Sequence, residues 1–395
     1  MKRILFTILL ASLLLSTGCA PAVTGIQSIQ PTQAVASAPT AFAPSTQAPS
    51  GDTPLPTDTS EASTPSAVQP GQATRTLTVM THDSFAASEG VIQEFEKANN
   101  VKVNFVKSGD AGAALNKAIL TKDAPIADVF YGVDNTFLSR ALNADIYEAY
   151  ASPLADQIPD EFKLDLKNRA LPVDYGDVCI NYSKAFFAKN ALAVPASLDD
   201  LIKPDYKGML VVENPATSSP GLAFLLATIQ KYGDPGYLDY WKALKANGVV
   251  VVDGWETAYY TNFSASTGKG PQPMVVSYNS SPAAEVAFAT TQLSDTPVGS
   301  ISAPGTCFRQ IEFVGILKGT KNMVLAQKFV DFMLDVPFQE GMPLSMFVYP
   351  TNPKAALPDV FTQYSKPAPQ PATVPADLDT KRDAWIEAWT QAVLH

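Results

Sequence analysis

Strand-like and helix-like segments alternate along the chain from Thr76, and this alternation limits the fold more than any other feature. Apolar or alternating patterns typical of strands occupy residues 76–80, 101–106 and 127–133. A second series of strand patterns follows at residues 210–213, 249–253 and 274–278. Helical spacing predicts helices at residues 84–99, 111–121, 325–334 and 380–394. The alternation predicts βαβ units and an α/β fold with mainly parallel sheets flanked by helices.

Polar clusters follow the strands of the first series. They lie at residues 81–84, 109–112 and 134–135, and strands of the second series also end in polar or aromatic residues. Ligands of open α/β sheets bind beyond the carboxyl ends of strands. The sequence therefore predicts a binding site where these clusters meet.

Long strand patterns at residues 172–182 and 306–317 are interpreted as crossings between two lobes. Gly176 would ease the bend in the first crossing. The interpretation assigns residues 76–172 plus about 308–350 to lobe 1, and residues 173–307 plus about 351–395 to lobe 2. Cys179 and Cys307 lie on the two crossings and form either a disulfide or two buried thiols.

The segment from Ser218 to Gly221 predicts a helix start after the strand at 210–213. A serine hydroxyl can cap free amides, and proline at the first helical position loses no amide hydrogen bond. Such a helix start is also a ready anion site, because free amides and the helix dipole point outward. An ordinary N-cap that only stabilises its helix is the alternative.

The amino terminus predicts export. Residues 1–3 are basic, residues 4–15 are apolar, and small residues precede Cys19. This pattern predicts a signal peptide at residues 1–18 and lipidation of Cys19; an ordinary cleavage site near a chance cysteine is the alternative. Residues 19–75, rich in Pro, Ser, Thr and Ala, predict a disordered linker. No later stretch approaches a membrane span, so the lipid alone would hold the protein at the membrane.

Composition and motifs exclude several classes of function. A net charge of −10 without a basic patch argues against a nucleic-acid partner. The chain has only 2 histidines, and it lacks metal-ligand spacings, phosphate-binding loops and nucleophile motifs. The sequence therefore predicts neither a metal site nor an enzyme.

The ordered motifs resemble the thiamine-binding component of bacterial ABC importers, within the type II periplasmic binding proteins. The matching segments lie at residues 81–85, 131–135, 173–176, 214–221, 254–259, 276–282, 347–350 and 382–389. The resemblance implies a two-lobed protein. We expect it to be a monomer without a cofactor, anchored at the cell membrane by the lipid on Cys19 and facing the periplasm or the cell exterior. It would trap thiamine, and its phosphate esters, and deliver them to a permease and its ATPase.

The resemblance also implies the residues of the binding cleft. They are Asp83, Ser84, Asp134, Ser218, Ser219, Gly221, Trp255, Tyr259, Tyr278, Ser281 and Phe347. Aromatic rings would stack on thiamine, Asp83 or Asp134 would balance its charge, and the serines at 218–219 would meet a phosphate. The chain departs from the family at His82, where tyrosine is frequent, and at Phe347, where tryptophan is frequent.

Other interpretations of these residues stay open. Asp83 could cap a helix, Asp134 could form only a turn, and Trp255 with Tyr259 could belong to the core. Ser281 could lie in an ordinary loop between a strand and a helix. Alternative ligands are ferric iron, held by a tyrosine pair at 259–260, a polyamine, or an anion such as sulfate or phosphonate.

Overall fold

The structure is a computed structural model that describes residues 75–266 and 269–395. The predicted signal peptide at 1–18, Cys19 and residues 20–74 of the predicted linker lie outside the described residues. Among the helices that the structure describes, none combines the length and apolar composition that a membrane crossing requires.

The strands join in one curled sheet. Their bounds are β1 Arg75–Thr81, β2 Val101–Lys107, β3 Val129–Asp134, β4 Tyr147–Glu148, β5 Leu171–Ser183, β6 Leu210–Glu213, β7 Val250–Val252, β8 Met274–Tyr278, β9 Val298–Ile301, β10 Phe308–Leu317 and β11 Tyr349–Pro350. The central order is β2-β1-β3-β10-β5-β8-β6-β7. Strand β1 is parallel to β2 and β3, and β6 is parallel to β7 and β8. The predicted parallel βαβ arrangement is confirmed on both sides of the centre.

Helices cover the sheet on both faces. Their bounds are α1 Glu89–Asn99, α2 Ala111–Leu120, α3 Leu138–Asn143, α4 Lys184–Lys189, α5 Ser219–Tyr232, α6 Gly236–Ala246, α7 Ser281–Ala287, α8 Met323–Leu334, α9 Val336–Ser345, α10 Asp359–Tyr364 and α11 Leu378–Val393. A π-helical turn, Thr257–Asn262, follows β7. Turns of this kind are rare and frequently lie at functional sites.

Strands β5 and β10 connect the two halves of the sheet. Residues 171–178 of β5 pair antiparallel with β10, and residues 178–182 pair with β8. Strand β10 pairs on its other side with β3. The predicted crossings are therefore present, and we call the strands on the β3 side the first half and those on the β8 side the second half. The exact lobe boundaries stay a prediction.

Cys179 and Cys307 are joined by a disulfide that links β5 to the residue before β10. Gly176, which was predicted to ease the bend in the first crossing, has a φ outside the left-handed region. A Cβ at Gly176 would lie 2.8 Å from Cδ1 of Tyr278. The glycine therefore leaves room for the Tyr278 ring on the crossing strand.

Helix α1 begins five residues later than predicted, at Glu89 instead of residue 84. The loop before it is held by tertiary hydrogen bonds, because the Asp83 amide donates to the Gly109 carbonyl and the Gly109 amide donates to Oδ1 of Asp83 (2.8 Å). The residue before α1 is Ser88. Asp83 is therefore not the helix cap that the sequence allowed.

Alternating side chains fill separate cores on the two faces of the sheet. In β3, Val129 and Tyr131 face one core, whereas Phe130 and Val133 face the other. The second core extends under both halves and receives Trp385, Trp389 and Val393 of α11. The tryptophans on one face of the last helix are thus part of the core.

Replacing Trp389 with alanine should destabilise the folded protein by roughly 3 to 5 kcal/mol, because the ring is fully buried and packs edge-on against Trp241 at 5.3 Å. Denaturant unfolding followed by circular dichroism measures the change. The control is Leu394→Ala, since Leu394 is 44% exposed and should cost less than about 1 kcal/mol. Equal losses for the two variants would show that α11 does not anchor the core.

Candidate functional site

A cavity of about 860 Å³ opens between the two halves of the sheet. The first half contributes the segment after β1 and the start of α2. The second half contributes the turn after β7 and the start of α7, and β10 lies across the base. The predicted residues that line the cavity are Ser84, Ser219, Trp255, Tyr259, Tyr278, Ser281 and Phe347. The volume is that of a small-molecule site.

Aromatic rings form one side of the cavity. Trp255 and Tyr259 stack with centroids 5.0 Å apart and planes 17° apart. Tyr278 meets Trp255 nearly edge-on at 6.5 Å. Both rings line the cavity and also pack against the small core behind it, so the binding and core interpretations of Trp255 and Tyr259 are compatible.

Hydrogen bonds hold Trp255 in place. Its indole Nε1 donates to Oγ of Ser277 (2.9 Å), and that hydroxyl lies 3.1 Å from Oγ of Ser281. Its backbone amide donates to Oδ2 of Asp110 (3.0 Å), which belongs to the first half. The ring that a ligand would meet is therefore fixed before the ligand arrives.

Two glycines make room for rings at the base of the cavity. Gly176 leaves space for Tyr278, as described above, and Gly132 does the same for His82. Gly132 has a φ of 106°, and a Cβ there would lie 2.4 Å from Cδ2 of His82. Both glycines lie on central strands, so the rings rest directly on the sheet backbone.

A buried group of ionisable side chains lies beneath the cavity. Nε2 of His82 lies 3.3 Å from Oε1 of Glu312, and the Tyr131 hydroxyl lies 2.6 Å from Oδ2 of Asp174 and 3.0 Å from Oε2 of Glu312. A phenol carries one proton, so one of these two contacts requires a protonated carboxyl group.

The pKa values of the two carboxyl groups in this cluster shift in opposite directions, upward for Asp174 and downward for Glu312. Burial raises the pKa of Asp174 well above its usual range, and the neighbouring Glu312 carboxylate adds to the rise. Burial would also raise the pKa of Glu312, but the His82 charge and the hydrogen bonds with His82, Asp174 and Tyr131 together lower that pKa. Burial would lower the pKa of His82, yet Glu312 raises it. At neutral pH we therefore infer a protonated Asp174 beside a His82–Glu312 ion pair.

Asp110 holds the two halves together at the cavity wall. Its Oδ1 accepts the amide of Ala111 at the start of α2 (2.7 Å), and its Oδ2 accepts the Trp255 amide. Close by, the Gly112 amide donates to the Thr217 carbonyl (3.0 Å). Burial raises the pKa of Asp110. The carboxylate thus positions Trp255 as well as lining the cavity.

Asp134 lies behind the cavity wall, where it is fully buried. It accepts hydrogen bonds from the Ser219 hydroxyl and from the Thr136 amide (2.6 Å). Burial raises the pKa of Asp134 to about 6 despite these bonds. The contact with Ser219 joins the first half to the start of α5.

The start of α5 differs from the predicted cap. Ser218 is the residue before the helix, but its hydroxyl makes no capping bond. A capping serine usually accepts a hydrogen bond from the backbone amide of the second or third helical residue. The second residue here is Pro220, which has no amide hydrogen, so one of these two donors is missing. Ser218 is fully buried and does not line the cavity, whereas Ser219 does.

Asp83 and Gly221 also lie outside the cavity lining. The Asp83 carboxylate is turned to the Gly109 amide instead of to the cavity. A Cβ at Gly221 would lie 2.6 Å from the Glu213 carbonyl oxygen, so this glycine allows α5 to pack on the end of β6. The predicted charge-balancing carboxylates, Asp83 and Asp134, are therefore both engaged elsewhere.

Phe347 lines the cavity and has a left-handed backbone conformation with φ 57°. Its carbonyl accepts a hydrogen bond from the Ser280 hydroxyl, and its ring meets Phe288 edge-on at 5.1 Å. An aromatic residue with positive φ is uncommon, and residues in such strained conformations cluster at ligand sites.

Several lining residues were not predicted from the sequence, namely His82 as a cavity residue, Asp110, Glu285, Gln310 and Glu312. His82 and Asp110 belong to the polar clusters at residues 81–84 and 109–112, which were predicted to lie at the binding site. Glu312 and Gln310 lie within β10, where polar side chains interrupt an otherwise apolar strand. Such an interruption is the signal that could have found them.

A ferric site would need a cluster of anionic ligands. Within the described part of the chain, no group of three His, Cys, Asp or Glu side chains is placed to hold a metal ion. The Tyr259 hydroxyl donates to Oε1 of Glu285 (2.8 Å), and burial together with Glu285 raises the pKa of Tyr259 well above its usual range. The Tyr259 and Tyr260 rings are nearly perpendicular (87°). The geometry favours neutral phenols over paired phenolate ligands.

Replacing Asp134 with asparagine should change how stability depends on pH. An acid whose folded pKa is raised stabilises the fold when protonated, and this contribution is lost as pH rises from the ordinary value of 3.8 to about 6. Between pH 4.5 and pH 7 the wild-type protein should therefore lose about 2 kcal/mol relative to the Asp134→Asn variant. Urea unfolding at both pH values measures the difference. Parallel losses in the two proteins would contradict the raised pKa.

Comparisons with known proteins agree with this geometry. The family described as bacterial extracellular solute-binding protein matches residues 124–369. The thiamine-binding periplasmic protein of Salmonella typhimurium is 32% identical over 304 residues, which are 76% of this chain and 88% of that protein.

Solved structures share the architecture. A periplasmic thiamin binding protein has a TM-score of 0.70 and 28% identity, over 82% of this chain and 98% of that one. Iron-bound HitA from Pseudomonas aeruginosa has a TM-score of 0.66 at 19% identity, over 80% of this chain and 99% of that one, and at this identity it shows the fold alone. The fold is the two-lobed type II periplasmic binding protein fold, and the chain belongs to the bacterial extracellular solute-binding protein family.

Proposed function

We propose that this protein captures thiamine in the cavity between its lobes and presents it to an ABC-type permease. The observation that carries the proposal is the make-up of the cavity lining. Aromatic rings form one side, the carboxylates of Asp110, Glu256, Glu285 and Glu312 are distributed around it, and the described lining includes no lysine or arginine. Such a site suits a flat organic cation.

Thiamine is both flat and positively charged, as such a site requires. It joins a flat aminopyrimidine to a thiazolium ring with a permanent positive charge. A cation over the face of Trp255 or Tyr278 gains roughly 0.5 to 2 kcal/mol, and carboxylates can accept hydrogen bonds from the exocyclic amine. The similarity to thiamine-binding relatives supports the same ligand.

Delivery requires a protein outside the cytoplasm. The family description supports export, and the basic and apolar amino-terminal residues support a signal peptide at 1–18. We infer that Cys19 carries a lipid and that the following linker lets the binding body reach the permease, whose ATPase drives uptake. In this proposal the protein acts as a monomer, uses no cofactor and catalyses no reaction.

Thiamine should bind the wild-type protein and quench its tryptophan fluorescence, since Trp255 lines the cavity. The Trp255→Ala variant should bind at least about tenfold more weakly, because the stacking face and its cation–π attraction are lost. Isothermal titration calorimetry of both proteins measures the change. A wild-type protein that ignores saturating thiamine would refute the proposed ligand, whereas an unchanged affinity in the variant would refute stacking on Trp255.

Thiamine phosphates should bind more weakly than thiamine itself. The described charged groups of the lining are carboxylates, apart from His82, which is paired with Glu312. A phosphate adds negative charge near Asp110 and beside Ser219, whose hydroxyl is turned to Asp134. We expect an affinity roughly tenfold lower for thiamine diphosphate, measured by competition with thiamine. Tighter binding of the diphosphate would contradict this expectation and support the anion site that the sequence predicted at the start of α5.

A further inference from the structure

We infer that Glu285 is the counter-ion of the ligand's positive charge, and that the Tyr259 hydroxyl orients it. This inference deepens the proposed function and rests on it. It replaces Asp83 and Asp134, which the sequence had suggested for the same role and which the structure turns away from the cavity.

The other carboxylates of the lining are engaged or exposed. Glu312 pairs with His82 at 3.3 Å, and both oxygens of Asp110 accept backbone amides. Glu256 is exposed to solvent, where an ion pair contributes little. Glu285 is therefore the lining carboxylate whose charge is both shielded from water and not already balanced.

Glu285 makes no ion pair within residues 75–266 and 269–395. It lies on α7, is partly buried, and lines the cavity beside Ser266. A partly buried carboxylate without a cation is costly unless hydrogen bonds or a ligand stabilise its charge. Burial raises the pKa of Glu285 above its usual value, and hydrogen bonds from Tyr259 and Ser266 offset part of this rise.

The aromatic side of the cavity places this charge next to the stacking rings. The Tyr259 hydroxyl donates to Oε1 of Glu285 at 2.8 Å, and the same ring stacks on Trp255. A flat cation held against Trp255 would therefore lie near a carboxylate of fixed direction. The interaction would be stronger than at the surface, because water is partly excluded.

The experiment compares Glu285→Gln with a control that makes the same change in charge outside the cavity. Glu94→Gln is suitable, since Glu94 is exposed on α1. Two ligands are titrated: thiamine, and the hydroxymethyl aminopyrimidine that forms its uncharged half, with ligand-observed NMR for the weaker binder. Glutamine keeps an oxygen that can accept the Tyr259 hydrogen bond, so a change in the cavity's shape is minimised.

Glu285→Gln should weaken thiamine binding about tenfold and change binding of the uncharged half less than about twofold. Glu94→Gln should leave both affinities unchanged, and Glu285→Asp, which keeps the charge, should bind thiamine more tightly than Glu285→Gln. Equal losses for both ligands, or no loss for thiamine, would overturn the role of Glu285 while leaving thiamine as the ligand. A wild-type protein that binds no thiamine would overturn the proposed function and this inference together.

Discussion

The pairing of β5 with β10 is the constraint on which the rest of the structure depends. These strands belong to both halves of the sheet, and a disulfide between Cys179 and Cys307 ties them at the crossing. The cavity therefore has a base that both halves share. Glu312 and Gln310 project from β10 into that base, and Gly176 of β5 supports the Tyr278 ring. The crossing strands thus build part of the site as well as the connection.

The cavity wall is assembled from contacts between the halves. Asp110 accepts the Trp255 amide, Asp134 accepts the Ser219 hydroxyl, and the Gly112 amide donates to the Thr217 carbonyl. Each contact joins a residue at or after the carboxyl end of a first-half strand to a residue that follows a second-half strand. A ligand that touches both halves would strengthen the same arrangement, because its contacts exist only when the halves are together.

The fold was largely predictable because its signals are local. Strands β6 and β8 have the predicted bounds, and the crossings were visible as long apolar strands with a cysteine on each. Helix α1 was predicted to begin too early: the loop before it is held at Asp83 by hydrogen bonds to Gly109, a residue distant in sequence. Helical spacing cannot reveal such a competing hydrogen bond.

The site was predictable in its aromatic part and less so in its charges. Trp255, Tyr259 and Tyr278 were implied by the resemblance to the thiamine-binding family, and the structure places all three in the cavity lining. Asp83 and Asp134 were assigned to the ligand, yet both are satisfied by protein donors. Which carboxylates keep a free charge depends on partners far along the chain, and only coordinates show them.

The central claim is that stacked rings and one oriented carboxylate hold a flat cation between the two lobes. A crystal structure of the protein grown with thiamine tests it most directly. We predict electron density for thiamine against the Trp255 ring, with the thiazolium within about 5 Å of the Glu285 carboxylate. Thiamine bound outside the cavity, or with its thiazolium directed into solvent away from Glu285, would contradict the account.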